Sequence, residues 1–443
     1  MTVKVRFAPS PTGLLHVGNA RTALINWLYA RQHKGVFLLR FDDTDLERTK
    51  VEYEDGIRQD LQWLGLTHDE EFRQRDQLDA YQKAIETLKA KGRLYPCYET
   101  PQELALKRKS QLARGQPPLY DRAALKVTQA QKDAFEKQGL KPHWRLLLTD
   151  KIVQWTDLVR DSVEFHGANL SDPVLLREDG NPIYTLSSVV DDIQSDITHI
   201  IRGEDHVANT AVQLQLVEAL GADPARFTFA HLPLLTGSQG EGLSKRLGSL
   251  SLKNLREDGI EAMALNSFLA KLGTSDSIIP LHTLDELTQE FDVSHFSRSS
   301  PKFSVEALKT INEKFLHTLS YDLVKDRLPE IDEAFWLLVR ENIATLADVH
   351  QWQAVCSREI TPIIPDSTFI QIAHDTLSAL PWNEETFKNW TTLLKDQTGK
   401  KGKELFMPLR LALTGIDHGP SLGDLLLRIG REKSLTRLAG KKS

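Results

Sequence analysis

Apolar positions along the chain follow two periods, and the points where the period switches divide it into elements. Residues 3–7 (Val-Lys-Val-Arg-Phe) alternate as a half-buried strand does. Pro9, Pro11 and Gly13 then exclude both strand and helix, so a stiff turn follows. Ala20, Leu24, Trp27, Leu28 and Arg31 recur at helical spacing, and Gly35 supplies a stop. The run Val36-Phe-Leu-Leu-Arg-Phe41 predicts a buried strand, ending at Asp42-Asp-Thr-Asp45. Amphipathic helices are predicted over 51–64 and 77–91, the first closing at Gly65. Strand, helix, strand, helix in that order predicts a doubly wound parallel sheet, an α/β fold.

From about Leu94 the pattern changes. Short strands, one charged helix over 102–115, the pair Pro117-Pro118 and short alternating runs continue to about Leu170. An insertion between two halves of the sheet fits this better than a continuing sheet. The second half resumes at Pro173-Val-Leu-Leu-Arg177 and turns at Asp179-Gly-Asn-Pro182. Ile200-Ile201 reads as a central strand ending in Arg202-Gly-Glu-Asp205, a helix follows over 213–220, and 231–235 is the last inner strand. Residues 236–248 are rich in glycine and polar side chains and predict a loop. Beyond Leu252 the periodicity is helical to the end. The expected divisions are 1–93 and 171–255 for the sheet domain, 94–170 for the insertion, 256–320 for a helical connection and 321–443 for a helical module.

Composition narrows the class without naming a chemistry. Of the 443 residues, 40% are hydrophobic and 26% charged, ordinary values for a globular protein. No apolar run reaches the roughly 18 residues of a membrane span, and the N-terminus lacks a signal-peptide pattern. Cys97 and Cys356 stand too far apart for a disulfide framework, which fits a reducing cytoplasm. A net charge of −6 argues against a general nucleic-acid coat but leaves room for a local basic stripe. The lysine-rich stretch 395–403 is one.

The candidate chemistry gathers where strands end. His16, Gly18 and Asn19 occupy the first turn of the first helix, where unpaired N–H groups and the positive dipole end suit a phosphate. Gly18 would let a base or phosphate approach the backbone. This is a nucleotide site without a Gly-x-Gly-x-x-Gly, whose absence after any strand disfavours a dehydrogenase. Asp42 comes first after the second strand, where parallel sheets collect working residues, while Asp45 or Thr49 reads as a helix cap. Arg202 taken alone would be a surface charge. Arg6 also sits at a strand end, however, and doubly wound topology brings such ends together.

The string Arg6-Phe-Ala-Pro-Ser-Pro-Thr-Gly-Leu-Leu-His-Val-Gly-Asn-Ala-Arg21 resembles the HIGH signature of class I aminoacyl-tRNA synthetases, and in full the glutamyl-tRNA synthetase branch. Leu243-Ser-Lys-Arg-Leu247 resembles their KMSKS loop, with Gly242 in place of its first lysine and Lys245 retained. Gly399-Lys-Lys-Gly-Lys-Glu-Leu-Phe-Met-Pro-Leu-Arg410 resembles the same family's anticodon-binding region. The resemblance implies a doubly wound, Rossmann-like catalytic domain with an inserted acceptor-binding domain, followed by an all-α anticodon-binding module. It implies a cytoplasmic monomer that uses ATP and Mg2+ to ligate L-glutamate to tRNA for glutamate through a glutamyl-adenylate. Whether tRNA for glutamine is charged too is left open.

On this resemblance His16, Lys245 and Arg246 are catalytic, working on the triphosphate. Ala8, Gly18, Asn19, Glu204, Leu235 and Leu243 join His16 and Lys245 around ATP. Arg6, Ser10, Asp42, Tyr184, Ser188 and Arg202 hold glutamate. Two guanidinium forks, Arg6 and Arg202, suit a molecule with two carboxylates, Arg202 reading the side chain. Asp42, where many members carry Glu, and Tyr184 meet the ammonium group, and Ser188 stands where some carry Asn. Some members hold zinc in the insertion through Cys-x-Cys and a later Cys-x-His. Here Cys97 is followed by Glu99, and Tyr120-Asp-Arg-Ala offers neither Cys nor His, so zinc is expected absent and Cys97 a small buried residue.

Three rivals remain at this stage. A smaller nucleotidyltransferase would need neither insertion nor helical module. A truncated paralogue that glutamylates a tRNA base normally lacks the C-terminal bundle. Retention of His16 and Lys245 opposes a catalytically silent tRNA-binding paralogue.

Overall fold

The strand, turn and helix expected at the N-terminus are present: β1 (Lys4–Phe7) and α1 (Val17–Gln32), then β2 (Val36–Phe41), α2 (Val51–Leu64), β3 (Glu70–Arg73) and α3 (Leu78–Ala90). They come from a computed structural model that describes residues 2–45, 47–237, 240–241 and 250–443. Strands β1, β2 and β3 form a parallel sheet in that order. β3 was not anticipated. Its sequence, Glu-Glu-Phe-Arg, is short and polar because it is an edge strand with Glu70 and Glu71 exposed, too brief for a period-two signal. Helix α2 stops at Gly65, whose φ of 76° suits a residue without Cβ.

The chain continues through β4 (Leu94–Cys97), α4 (Pro101–Ala113), α5 (Gln129–Lys137), β5 (His143–Leu146), β6 (Ile152–Asp157), β7 (Asp161–His166) and β8 (Val174–Leu176). α6 (Tyr184–Gln194), β9 (His199–Gly203), α7 (Val207–Leu220) and β10 (Thr228–Leu232) follow. A second sheet has the order β7-β6-β10-β9, parallel from β6 to β9, with β7 antiparallel at its edge. A third, antiparallel sheet has the order β4-β5-β8.

These pairings correct the expected insertion of 94–170. β6 and β7 lie inside that range but belong to the sheet of β9 and β10. β8, expected to restart the catalytic half, closes the small antiparallel sheet. Alternation along a strand reports which face is buried, not which neighbour it pairs with, so residue pattern alone could not assign these strands.

The two parallel sheets meet at β1 and β9. Lys4 N–H donates to Thr198 Oγ1 at 2.8 Å, and Thr198 N–H to the Lys4 carbonyl at 2.9 Å. Among the described residues no ladder continues beyond that point. The buried Asn26 of α1 instead donates to the Ile201 carbonyl of β9 at 3.0 Å, satisfying a strand group that β1 would otherwise pair. The strands are therefore stitched at their amino ends and separate at their carboxyl ends, the place where open α/β sheets bind ligands.

Helices complete the chain: α8 (Leu252–Glu257), α9 (Ala262–Lys271) and α10 (Leu284–Glu290), then α11 (Val305–Thr318), α12 (Glu333–Val339), α13 (Asp348–Ser357), α14 (Ser367–Ser378), α15 (Thr386–Thr398), α16 (Lys403–Thr414), α17 (Leu422–Ile429) and α18 (Arg431–Leu438). Two compact units result. One holds the residues up to Asp258 with Leu265–Ser304, the other Gly259–Ala264 with Val305–Ser443. The second is helical throughout its described elements. Trp336 and Trp390 are fully buried in it, their indole N–H groups donating to the carbonyls of Leu319 and Ala373. Buried Arg437 gathers the carbonyls of Val355, Leu413 and Arg358. The loop expected over 395–403 is shorter, because α15 runs on to Thr398 before Gly399 stops it. Among the described residues no helix is long and apolar enough to cross a membrane.

Candidate active site

A cleft of about 800 Å3 opens between the carboxyl ends of β1 and β9. Of the residues singled out in the sequence, Arg6, Ala8, Ser10, His16, Gly18, Asn19, Asp42, Tyr184, Arg202 and Leu235 line it. Two do not. Ser188 lies one helical turn after Tyr184 on α6 and is buried, accepting a hydrogen bond from Gln213 Nε2 at 3.0 Å. Glu204 is held by Arg160 at 2.6 Å and by the Leu234 N–H at 3.2 Å, while its neighbours Gly203 and Asp205 form the wall. Neither side chain lines the cleft here, and each braces a residue that does, Ser188 through Gln213 to Arg202 and Glu204 through the Leu234 N–H. Leu243, Lys245 and Arg246 lie outside the described residues.

The start of α1 is organised differently from expectation. His16 is the cap, and its Nδ1 accepts from the Gly18 N–H at 3.1 Å, while Asn19 Oδ1 accepts from the His16 N–H at 3.2 Å. The Val17 N–H donates to the Leu250 carbonyl at 3.2 Å. The N–H groups expected to cradle phosphate are thus already paired. An Nδ1 that accepts leaves the ring proton on Nε2, so His16 in its neutral form offers one directed donor. Burial lowers its pKa and favours that form. Gly18 is needed for the ring itself, since a Cβ there would meet His16 Cε1 at 2.9 Å.

On the β1–β2 side the cleft rests on a buried ion cluster. Arg40 binds Asp42 (Nε–Oδ1 2.6 Å) and Asp192 (Nη1–Oδ1 2.7 Å). Arg6 Nε reaches Asp192 at 3.2 Å, leaving the terminal nitrogens of Arg6 without hydrogen-bond partners among the described residues. Asp191 adds its charge beside Arg40 and accepts from Gln74 and Tyr81 at 2.7 and 2.8 Å. Burial works against the Arg40 charge, and the carboxylates of Asp42, Asp192 and Asp191 overcome it, holding the guanidinium well above its usual range. Burial pushes the Asp42 carboxyl up against the pull of Arg40. Arg40, Asp191 and Asp192 were missed in the sequence. The available signal was a charge inside an apolar strand and an acidic doublet inside an apolar helix.

On the β9 side Arg202 is buried among neutral groups. Nη2 donates to Thr210 Oγ1 (2.7 Å) and Gln213 Oε1 (2.6 Å), Nη1 to Tyr184 Oη (3.3 Å) and Nε to His231 Nε2 (3.4 Å). No carboxylate pairs with it among the described residues, and burial lowers its pKa. His206, also missed, lines the cleft with its ring 5.6 Å from that of Tyr184.

Both flanks of the segment expected to carry Lys245 return to this cleft. Leu252 N–H donates to the Leu15 carbonyl at 2.9 Å, closing an antiparallel bridge between His16 and Ser251. On the other flank Leu235 lines the cleft, and Gly237 N–H donates to the Glu241 carbonyl at 2.7 Å.

The site combines a strand-end cleft, a histidine-capped helix and a guanidinium with only neutral partners, and comparison with known proteins gives its class. Residues 2–310 match the tRNA synthetases class I (E and Q) catalytic domain, and 333–441 match an anticodon binding domain. The chain belongs to the class I tRNA synthetases of the E and Q branch. It is 54% identical to a glutamate–tRNA ligase of Azospirillum brasilense over the full length of both, and 52% identical to glutamate–tRNA ligase 2 of Gluconobacter oxydans over 98% of this chain and 99% of that one. A crystal structure of a glutamate tRNA ligase from Elizabethkingia meningosepticum, in complex with its amino acid, superposes with a TM-score of 0.86 at 27% identity over 99% of each chain.

Proposed function

We propose that this chain ligates L-glutamate to the 3′ end of tRNA for glutamate in two steps through a glutamyl-adenylate. The observation that carries the reading is Arg202, a buried guanidinium with only neutral partners, on the strand across the cleft from Arg6. A buried cation without an anion is costly unless a substrate supplies one. A carboxylate received at the remaining Nη1 N–H and the Tyr184 hydroxyl answers that need, and the neutral amide of glutamine does not. Arg6 receives the second carboxylate, and Asp42 with Tyr184 faces the ammonium group.

In the first step an α-carboxylate oxygen bonds to the α-phosphorus of ATP as the bond to pyrophosphate breaks. That carboxylate is ionised at neutral pH, so no general base is required. Catalysis rests on positioning and on stabilising charge at the phosphates. His16 Nε2–H and Asn19 hold the triphosphate. Lys245 and Arg246, outside the described residues, are assigned to the leaving pyrophosphate on the resemblance of Leu243-Ser-Lys-Arg-Leu247 to the KMSKS loop. Among the described residues no group of His, Cys, Asp and Glu offers a metal cage. Mg2+ accompanying ATP would supply charge cancellation at the phosphates. In the second step a terminal ribose hydroxyl attacks the carbonyl carbon and AMP leaves.

The small sheet of β4, β5 and β8 with α4 and α5 is assigned to the acceptor end, and 333–441 to the anticodon. A second cavity of about 420 Å3 shares Ser10, Asp42 and Tyr184 with the cleft and is lined by Arg48 and Arg177, which suits a phosphate-bearing 3′ end. Zinc does not fit the insertion. Cys97 is the one thiol of that stretch, and the Tyr120 hydroxyl donates to Glu99 at 2.8 Å, so the four thiolate or imidazole ligands of a closed site are not assembled there. We assign a monomer in the cytoplasm. The test is ATP–pyrophosphate exchange with glutamate, with and without tRNA, followed by charging of purified tRNAs for glutamate and glutamine. Glutamate-dependent exchange and charging of the first are expected. Exchange without any charging would favour the tRNA-modifying paralogue, against which the anticodon-domain match already counts.

A further inference from the structure

We infer that Asp157 and His231, which touch neither substrate in the reading above, form a positioning pair that holds Arg202 in the orientation needed to read glutamate. The inference rests on that reading. His231 is fully buried on β10, with Trp155 and Phe229 packed against its ring. Its Nδ1 meets Asp157 Oδ2 at 2.5 Å. A carboxylate only accepts, so the ring proton is on Nδ1 and Nε2 keeps its lone pair. That lone pair faces two donors, Arg202 Nε–H at 3.4 Å and the Thr210 hydroxyl at 2.9 Å.

Asp157 is itself immobilised. Oδ1 accepts from the N–H groups of Val159, Arg160 and His231 at 3.0, 3.1 and 3.2 Å. Burial raises the Asp157 carboxyl, but the hydrogen bond from His231 and those backbone bonds outweigh it and hold it below the usual range. Burial, with the nearby Arg202 charge, lowers the His231 pKa against the upward pull of Asp157, which favours the neutral imidazole that an Arg202 Nε–H facing Nε2 requires. The chain of contacts thus runs from a saturated carboxylate through a tautomer-locked imidazole to the one edge of Arg202 that faces away from Tyr184. Thr210 and Gln213 anchor the Arg202 Nη2 corner, and His231 fixes the neighbouring Nε edge, so the plane of the guanidinium is held at two points. An acceptor fixed behind Nε leaves Nη1 directed at the cleft without cancelling the charge the substrate must meet.

The test uses the full-length enzyme in glutamate- and tRNA-dependent pyrophosphate exchange. Asp157→Asn presents an amide N–H to Nδ1 and drives the ring proton to Nε2, setting N–H against N–H at Arg202. The expected result is a rise in glutamate KM of about tenfold or more, with ATP KM within about twofold. In 15N spectra of the imidazole the proton should move from Nδ1 to Nε2. His231→Gln returns an acceptor near the Nε2 position and should recover most of the glutamate affinity, whereas His231→Met should not. A purely structural role would lower thermal stability and the active fraction while leaving glutamate KM unchanged, and that outcome overturns the inference. If Asp157→Asn does not fold, equal glutamate KM in His231→Gln and His231→Met overturns it instead. Absence of glutamate-dependent exchange in the unmodified enzyme would overturn both this inference and the ligase reading.

Discussion

The two sides of the cleft handle buried charge in opposite ways. On the β1–β2 side, Arg6 and Arg40 meet Asp42, Asp191 and Asp192, so each of the two cations has a carboxylate partner inside the protein, with one carboxylate in excess. On the β9 side, Arg202 is as deeply buried yet has Thr210, Gln213, Tyr184 and His231 for company, none of them an anion. A matched cluster is a rigid floor whose members are hard to remove singly. An unmatched cation is a receptor, because the free energy of meeting its counter-charge is left for the ligand. The difference explains how one cleft can be both firmly built and selective for an acid.

The comparison makes graded predictions. The largest effect is expected from Arg40→Leu, which leaves three buried carboxylates short of a cation. Folding stability should fall by about 3–5 kcal/mol in urea denaturation, and a loss near zero would mean the cluster is not a floor. Arg202→Gln should cost much less stability but lower kcat/KM for glutamate about a thousandfold in pyrophosphate exchange, with ATP KM little changed. Unchanged glutamate kinetics would remove its assigned role. Lys245→Ala should reduce the rate of activation about a hundredfold with near-normal glutamate KM.

The smallest effect concerns pH. Burial raises the Asp191 carboxyl to about 6 in the folded protein, above its ordinary value of 3.8. The folded state therefore binds the proton more tightly. The stability tied to this group is fully present below about pH 3.8 and is lost as pH rises through about 6. Asp191→Asn should remove that slope, so the difference from the unmodified protein shifts in favour of the variant by about 2–2.5 kcal/mol between pH 4 and pH 7. A difference that stays flat over that range would argue against the raised value.

Much of the site was legible because its parts are local. A strand ending at Arg6, a proline-stiffened turn, His16 at a helix start and a second strand delivering Asp42 all follow from periodicity and turn chemistry over short spans. The apolar run Val36–Phe41 met the observed strand at both bounds, whereas the last inner strand, expected over 231–235, runs over Thr228–Leu232, because Pro233 cannot donate to the ladder. The polar edge strand Glu70–Arg73 and the helix Gln129–Lys137 were missed, since neither shows a continuous apolar face. Ser188 and Glu204 were placed in the cleft because their neighbours line it. One turn of helix or one step of chain was enough to redirect them toward Gln213 and Arg160.

By itself the sequence determined the kinds of element, their order and the identity of the groups at the strand ends, because those depend on near neighbours along the chain. Tertiary structure alone decided which strands share a sheet, and that β1 and β9 part beyond Lys4 and Thr198. It also decided which arginine is neutralised and which is left waiting. Charge balance in a low-dielectric interior depends on groups brought together from distant parts of the chain, Asp192 to Arg6 and His231 to Arg202, and no local pattern encodes those meetings.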